Sequence, residues 1–366
     1  MILKSISILN FKNIKQADLT LSPKLNCFVG NNGVGKTNLL DAIYYLSFCR
    51  STFSQSNQHV LRHGQDAMMI QGVYSTEDNE TLNITCGLKN GRRKSFRKNG
   101  KEYRRISEHI GLIPLVMVSP DDIEFVQGTS EFRRKFLDTT ISQYSPLYLQ
   151  ELIRYNQLLL QRNVWLKSEN QPNEELMNIY DLQLASAGQK IYEQRKNFIN
   201  SFKETFRSIY AQVGNTNEIV NLNYKSHLDE DSLINLLHSH HQKDFIVGHT
   251  LKGTHRDEIE MMLNGHSIRY EGSQGQIKSY ITALRLAQYI YLKNTIKTRS
   301  PLLLLDDIFD KLDSKRVENI IHVVSNNEYG QIFITSTSDT TLKEIIKLST
   351  NDYRFFIVKD GTYEAY

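Results

Sequence analysis

At 366 residues, 40% of them hydrophobic and 23% charged, the chain has length for two or three domains and enough apolar content to exclude intrinsic disorder. A formal net charge of only +4 excludes attraction of nucleic acid by global charge, so any such affinity has to come from a local patch. No apolar run reaches the roughly eighteen residues that a membrane-spanning helix needs, and Cys27, Cys49 and Cys86 lack ligand spacing, which fits reduced residues in a reducing cytoplasm.

Residues 1–30 read as three short strands, Leu3 to Leu9, Ala17 to Leu21 and Leu25 to Val29. The start, Met1-Ile2-Leu3-Lys4-Ser5, alternates as a strand does and lacks the apolar core of a signal peptide. Asn10-Phe11-Lys12-Asn13-Ile14 predicts a turn with one exposed cation. The third strand runs into Gly30-Asn31-Asn32-Gly33-Val34-Gly35-Lys36-Thr37, which matches G-x-x-x-x-G-K-[ST] at every fixed position. Leu39, Leu40, Ala42, Ile43 and Leu46 then follow at helical spacing. Glycines in such a loop let backbone N–H groups converge on phosphate oxygens, and the helix N-terminus adds the positive end of its dipole. Lys36 is placed to reach the outer phosphates and the Thr37 hydroxyl to ligate Mg²⁺. A strand, glycine turn and helix in this order point to a bound nucleoside triphosphate.

Ala67 to Tyr74 and Thr81 to Leu88 predict an antiparallel pair across Thr76-Glu77-Asp78-Asn79. The most basic stretch follows: Lys89, Arg92, Arg93, Lys94, Arg97, Lys98, Lys101, Arg104 and Arg105, opposed only by Glu102. Asn99-Gly100 at its middle predicts a type I′ hairpin, with Phe96 and Tyr103 flanking the turn as aromatic residues do on nucleic-acid surfaces. Cations at this density neutralise phosphates through counterion release, which gives salt-sensitive, sequence-independent binding. Edge-strand protection needs fewer.

Leu115 to Val118 reads as a strand, and Ser119-Pro120-Asp121-Asp122 as a break and a helix start. From there to about Gly214 the texture is almost continuously helical, with Leu147 to Leu166 one helix and Glu174 to Val213 a longer one or a pair. The stripe Phe198, Phe202, Phe206, Ile209 and Tyr210 reads as a bundle core, and Trp165 as packed. The expected division is therefore a head of residues 1–118 and 215–366, interrupted by a helical arm of residues 119–214. In Thr250-Leu251-Lys252-Gly253-Thr254-His255-Arg256-Asp257, His255 reads as a hydrogen-bonded loop residue rather than a proton carrier. Glu258 to Leu263 and His266 to Tyr270 predict a hairpin across Asn264-Gly265.

Pro301-Leu302-Leu303-Leu304-Leu305-Asp306-Asp307 is an apolar strand ending in two carboxylates, the Walker B arrangement. Asp306 is expected to hold Mg²⁺ through its water shell, and Asp307 to polarise the attacking water while Lys36 neutralises phosphate charge. Upstream, Glu271-Gly272-Ser273-Gln274-Gly275-Gln276 opens a long helix. Its Ser273, Gly275 and Gln276 resemble the signature loop of ABC-type ATPases, which in that family binds the γ-phosphate of ATP held by the opposite subunit; a polar helix cap is the plainer reading. Lys311-Leu312-Asp313 resembles the D-loop, and Gln331-Ile332-Phe333-Ile334-Thr335 the strand after it. The order implies an α/β fold: an ABC-type ATPase head, a mixed sheet with a P-loop, carrying an inserted helical arm.

Within that class the chain resembles the RecF family along essentially its whole length. The carrying segments are Leu9-Asn10-Phe11-Lys12-Asn13-Ile14, the P-loop through Tyr44, Ser119-Pro120-Asp121-Asp122 with Arg133-Arg134-Lys135-Phe136-Leu137-Asp138, and Gly253-Thr254-His255-Arg256-Asp257. Ser130 and Thr254 stand where that family usually has proline, and Asp310-Lys311 replaces a small residue and Glu. Asp307 in place of Glu, and no histidine after Thr335, fit a slow ATPase used as a switch. The resemblance implies an ATP-dependent homodimer, with each ATP between one P-loop and the other copy's Ser273 loop. It implies that the dimer clamps DNA near single-strand/double-strand junctions, and with RecR and RecO helps load RecA at gaps. Slow, DNA-dependent hydrolysis then resets it. It assigns no role to Lys12, His255 or Arg256. The alternative is the ATPase subunit of an ABC transporter, which shares these motifs but normally has only a short helical subdomain.

Overall fold

The computed structural model describes residues 1–366 except 55–56, 169–172, 215–216, 310–313, 326–327, 341 and 344–351. It divides into two compact units, one of Met1–Asp122, Ser208–Thr216 and Lys278–Tyr366, the other of Ile123–Arg207 and Asn217–Ile277. Residues 217–277 were expected in the head, and they fall in the helical unit instead. Their strands Val220–Lys225 and Glu258–Leu263 pair with one another, and the second packs on helix Ser130–Ser142, so this small sheet closes the helical unit's own core.

The first unit holds two six-stranded sheets. One is antiparallel, in the order Ile14–Thr20, Ile2–Phe11, Ala67–Ser75, Thr81–Lys89, Ser95–Lys98, Lys101–Glu102. The other runs Thr362–Ala365, Tyr353–Lys359, Leu25–Val29, Ile332–Ser336, Leu302–Asp306, Leu115–Val118, and is parallel apart from its edge hairpin. Helix Lys36–Phe48 touches strands of both sheets, which explains why it is buried nearly all round rather than along one stripe. Leu302–Asp306 is buried at every residue, as a parallel strand covered on both faces has to be.

Two local expectations fail here. Lys12 is not an exposed cation: its ammonium lies 2.8 Å from the fully buried carboxylate of Asp41, and only 15% of its side chain is exposed. Phe96 and Tyr103 do not present their rings to a ligand either. Phe96 is 1% exposed and stacks on Tyr45, while the Tyr103 hydroxyl sits 3.0 Å from His109 Nδ1. The turn itself is as expected, with φ +48° at Asn99 and +80° at Gly100.

In the second unit, helix Pro146–Leu166 begins with Ser145 accepting from the Tyr148 N–H, and Pro146 sits where its missing N–H costs nothing. Glu174–Val213 is one unbroken helix of 40 residues, with Phe198, Phe202 and Phe206 buried along it as expected. Gly188 lets helix Leu233–Val247 approach closely, since a Cβ there would meet Leu233 Cδ2 at 2.5 Å. Trp165 packs edge-on against Tyr180. The predicted second hairpin strand ends after His266–Ser267, because Ile268 is buried at the start of a helical turn, Ile268–Glu271.

Buried arginines tie this unit together, among them Arg162 and Arg195. Arg162 pairs with Asp181 and Asp244, both at 2.7 Å, and donates to Thr250 Oγ1 at 2.9 Å. Arg195 pairs with Asp138 and Asp257 at 2.7 and 2.6 Å and donates to the Thr254 carbonyl. Asp138 and Asp257 belong to the two motif segments quoted above, so those segments converge on Arg195. Ser130, the departure from proline, accepts from Arg134 at 2.7 Å, and Arg134 also donates to the Asp257 carbonyl.

His255 is structural, as the sequence reading preferred. Its Nε2 donates to the Thr250 carbonyl at 3.0 Å, which leaves Nδ1 to accept from Tyr155 at 2.8 Å. Burial pushes its pKa down to about 4, so the ring is neutral near pH 7.

Candidate nucleotide-binding and hydrolysis site

The loop Gly30 to Gly35 joins strand Leu25–Val29 to helix Lys36–Phe48. Gly33 and Gly35 take φ +81° and +115°, where side chains are strained. Lys36 folds back over the loop, donating to the carbonyls of Gly30 at 2.6 Å and Asn31 at 2.8 Å. Burial lowers its pKa, opposed by the charges of Asp307 and Asp306. Both carbonyls are neutral acceptors, which a triphosphate oxygen outcompetes for an ammonium.

Thr37 Oγ1 lies 3.0 and 2.9 Å from the two carboxylate oxygens of Asp306, so the fold joins residues 269 positions apart. The parallel register puts Asp306 opposite Thr335, whose hydroxyl donates to Asp306 Oδ1 at 2.7 Å and accepts the Asp307 N–H at 3.0 Å. Because the Asp307 N–H occupies a lone pair of Thr335, the single hydroxyl proton is directed at Asp306. Burial raises the pKa of Asp306; the hydrogen bonds from Thr335 and Thr37 lower it, the charge of Asp307 raises it, and Lys36 lowers it. A desolvated carboxylate beside a hydroxyl is a hard oxygen donor pair, which suits Mg²⁺ with most of its waters kept. Asp307 follows with φ +47°, a conformation rare for a residue other than glycine.

Several residues around the loop were not foreseen. Strand Tyr353–Lys359 pairs parallel to Leu25–Val29 and carries its hairpin to the P-loop, where Gly361 N–H donates to the Val34 carbonyl at 2.8 Å and Tyr363 to the Gly35 carbonyl at 2.9 Å. Asn13 accepts from Asn38 at 2.7 Å beside the same loop. Thr335 carries no signal in the sequence beyond its place in a strand. No local pattern marks Tyr363 or Gly361, because the pairing that places them spans the whole chain.

Ser273, Gly275 and Gln276 lie in the second unit, at the start of helix Gln274–Thr295. Ser273 is exposed, and its hydroxyl accepts the Gln276 N–H at 3.2 Å while Gln276 Oε1 accepts the Ser273 N–H at 2.8 Å. The loop is thus a reciprocal capping box. The expected D-loop, with Asp313, lies outside the described residues.

Of the basic stretch, Arg92, Arg93, Arg97, Lys98, Lys101, Arg104 and Arg105 are exposed. Lys94 is not available in the same way. Its ammonium donates to the Cys49 carbonyl at the end of the P-loop helix at 2.6 Å and lies 5.7 Å from the Tyr45 ring centroid. It anchors the hairpin, and so is removed from the expected DNA contacts.

The RecF/RecN/SMC N terminal domain model matches residues 2–362. A protein of Phocaeicola vulgatus named DNA replication and repair protein RecF is 50% identical over 99% of this chain and 97% of its own length. A solved structure of the recombination mediator protein RecF with ATP, from the RecFOR pathway, superposes with a TM-score of 0.89 at 28% identity, covering 100% of this chain and 97% of that one. The Smc head domain of Pyrococcus furiosus shares the fold alone, with a TM-score of 0.59 at 15% identity. With its α/β ATPase head of the ABC and SMC type, the chain belongs to the RecF family.

Proposed function

We propose that this chain is an ATP-dependent DNA-binding recombination mediator in DNA repair and replication, in which ATP closes two heads into a clamp. The observation that carries the reading is the meeting of Thr37 with both oxygens of Asp306 beneath an intact phosphate loop. The names of its RecF relatives, and the RecF structure solved with ATP, support the same reading over that of a transporter subunit. Among the described residues no helix is long and apolar enough to cross a membrane.

In this account the backbone N–H groups from Gly30 to Gly35 and Lys36 bind the β- and γ-phosphates, exchanging the Gly30 and Asn31 carbonyls for charged oxygens. Thr37 and, through water, Asp306 hold Mg²⁺, which when bound neutralises charge on those phosphates. Asp307 orients the attacking water and accepts its proton. Ser273, Gly275 and Gln276 of a second copy close on the γ-phosphate. The short reach of Asp307 makes hydrolysis slow, a timer that reopens the clamp, with DNA raising its rate. RecR and RecO are the proposed partners, delivering RecA to single-strand gaps in the cytoplasm.

The exposed cations of the hairpin are the proposed DNA contacts. Replacing Arg92 and Arg93 together by Ser is expected to weaken binding to a gapped duplex and to lower the slope of log affinity against log salt by about 1.8, roughly 0.9 per phosphate contact. Fluorescence anisotropy across a salt series, with and without ATP, reads both quantities. Wild-type DNA affinity that ignores ATP and salt would refute the mediator reading, and an unchanged slope in the variant would remove the hairpin from it.

A further inference from the structure

Resting on the proposed in-trans role of the Ser273 loop, we infer that Glu218 is a positioning residue for that loop. It acts through Gln276. The Gln276 side-chain amide accepts the Ser273 N–H at 2.8 Å and donates through Nε2 to Glu218 Oε1 at 2.8 Å. A backbone N–H can only donate and a carboxylate can only accept, so one orientation of the amide satisfies both partners. Glu218 therefore selects the amide orientation that caps Ser273.

Glu218 is itself held in place. The next residue, Ile219, donates its N–H to Asn264 Oδ1 at 2.8 Å and accepts the Asn264 N–H at 2.7 Å. Asn264 occupies the tight turn after strand Glu258–Leu263, with φ +51°. A continuous path thus runs from the three-stranded sheet through Glu218 and Gln276 to Ser273, within one compact unit.

The consequence lies at the Ser273 hydroxyl. That oxygen accepts the Gln276 N–H at 3.2 Å, so its own proton remains to be donated. With the cap fixed, the proton has a defined direction when a phosphate arrives from a second copy. Without Glu218 the amide keeps the bond from the Ser273 N–H but loses its second tether, and more of the ordering cost falls on dimer closure. Helix Gln274–Thr295 has 22 residues and is anchored by buried Tyr280, Leu284, Leu286 and Ala287, so its stability does not depend on this one half-buried contact.

The test uses the full chain with ATPγS and Mg²⁺, reading dimerisation by sedimentation and nucleotide affinity at concentrations where the chain is monomeric. Glu218→Ala is expected to lose roughly fivefold per site for one charge-assisted hydrogen bond, hence about 25-fold in the dimer constant, because two equivalent sites close together. Glu218→Gln, which keeps an acceptor oxygen, is expected to stay within about twofold of wild type. Monomer nucleotide affinity and melting temperature stay unchanged in both. If Glu218→Ala dimerises like wild type while Ser273→Arg does not, the positioning role is overturned and the closure reading stands. If Ser273→Arg also dimerises like wild type, the closure reading itself falls. A loss shared equally by Glu218→Gln, or matched by lost monomer affinity, also overturns the role, since it would then rest on charge or on folding.

Discussion

Asp306→Asn is expected to lower steady-state ATP hydrolysis by about 10²- to 10³-fold, while ATP affinity without Mg²⁺ changes little. The carboxylate accepts from Thr335 and meets Thr37 through both of its oxygens. An amide of the same shape keeps one acceptor, sets an NH₂ group against the Thr37 hydroxyl and the metal's water shell, and removes the charge that draws the cation. Because burial already disfavours the charged form of Asp306, the neutral residue should leave the melting temperature unchanged or raise it. Phosphate release and titration of a fluorescent ATP analogue with and without Mg²⁺ separate the two effects. Hydrolysis at the wild-type rate would remove Asp306 from the metal site.

The second large effect concerns the helical unit. Arg162→Ala is expected to destabilise it by about 3–5 kcal/mol, the usual cost of stripping one partner from a buried ion pair. Arg162 is 0% exposed, and its partners Asp181 and Asp244 are 3% and 0% exposed, so the substitution strands two carboxylates away from water. It also removes the donor to Thr250 Oγ1, although the Thr250 N–H and hydroxyl still donate to Asn163. The chain's one tryptophan, Trp165, stands three residues further along the same helix against Tyr180, which makes its fluorescence a local probe. Urea unfolding followed at Trp165 should show the lowered midpoint. Adding Asp181→Asn and Asp244→Asn should recover part of the loss, because no unpaired charge then remains.

The site was legible where phosphate chemistry fixes residue types within one contiguous segment. Gly30 to Thr37 and Leu302 to Asp307 are such segments, and their meeting at Thr37 and Asp306 follows from the parallel register that the alternation of strands and helices implies. What was illegible depends on pairings across the chain. Tyr363 braces the Gly35 carbonyl from 328 positions away, and Lys12 finds Asp41 only once the P-loop helix lies against the first strand. The misreading of Phe96 and Lys94 has a simpler cause. They are two residues apart on one extended segment and share a face, so an inward Phe96 carries Lys94 inward with it. The boundary lies elsewhere than residue 215 because strand texture does not say which sheet a strand joins, and Val220–Lys225 and Glu258–Leu263 build a sheet of their own.

The central claim is that ATP joins two heads through the Ser273 loop. Light scattering of the wild type and of Ser273→Arg, each without nucleotide, with ADP, and with ATP plus Mg²⁺, tests it most directly. The account predicts a dimer mass for the wild type only with ATP, and a monomer mass for Ser273→Arg under every condition although it still binds ATP. A mass indifferent to ATP would contradict it, and the nucleotide would then act within a single head.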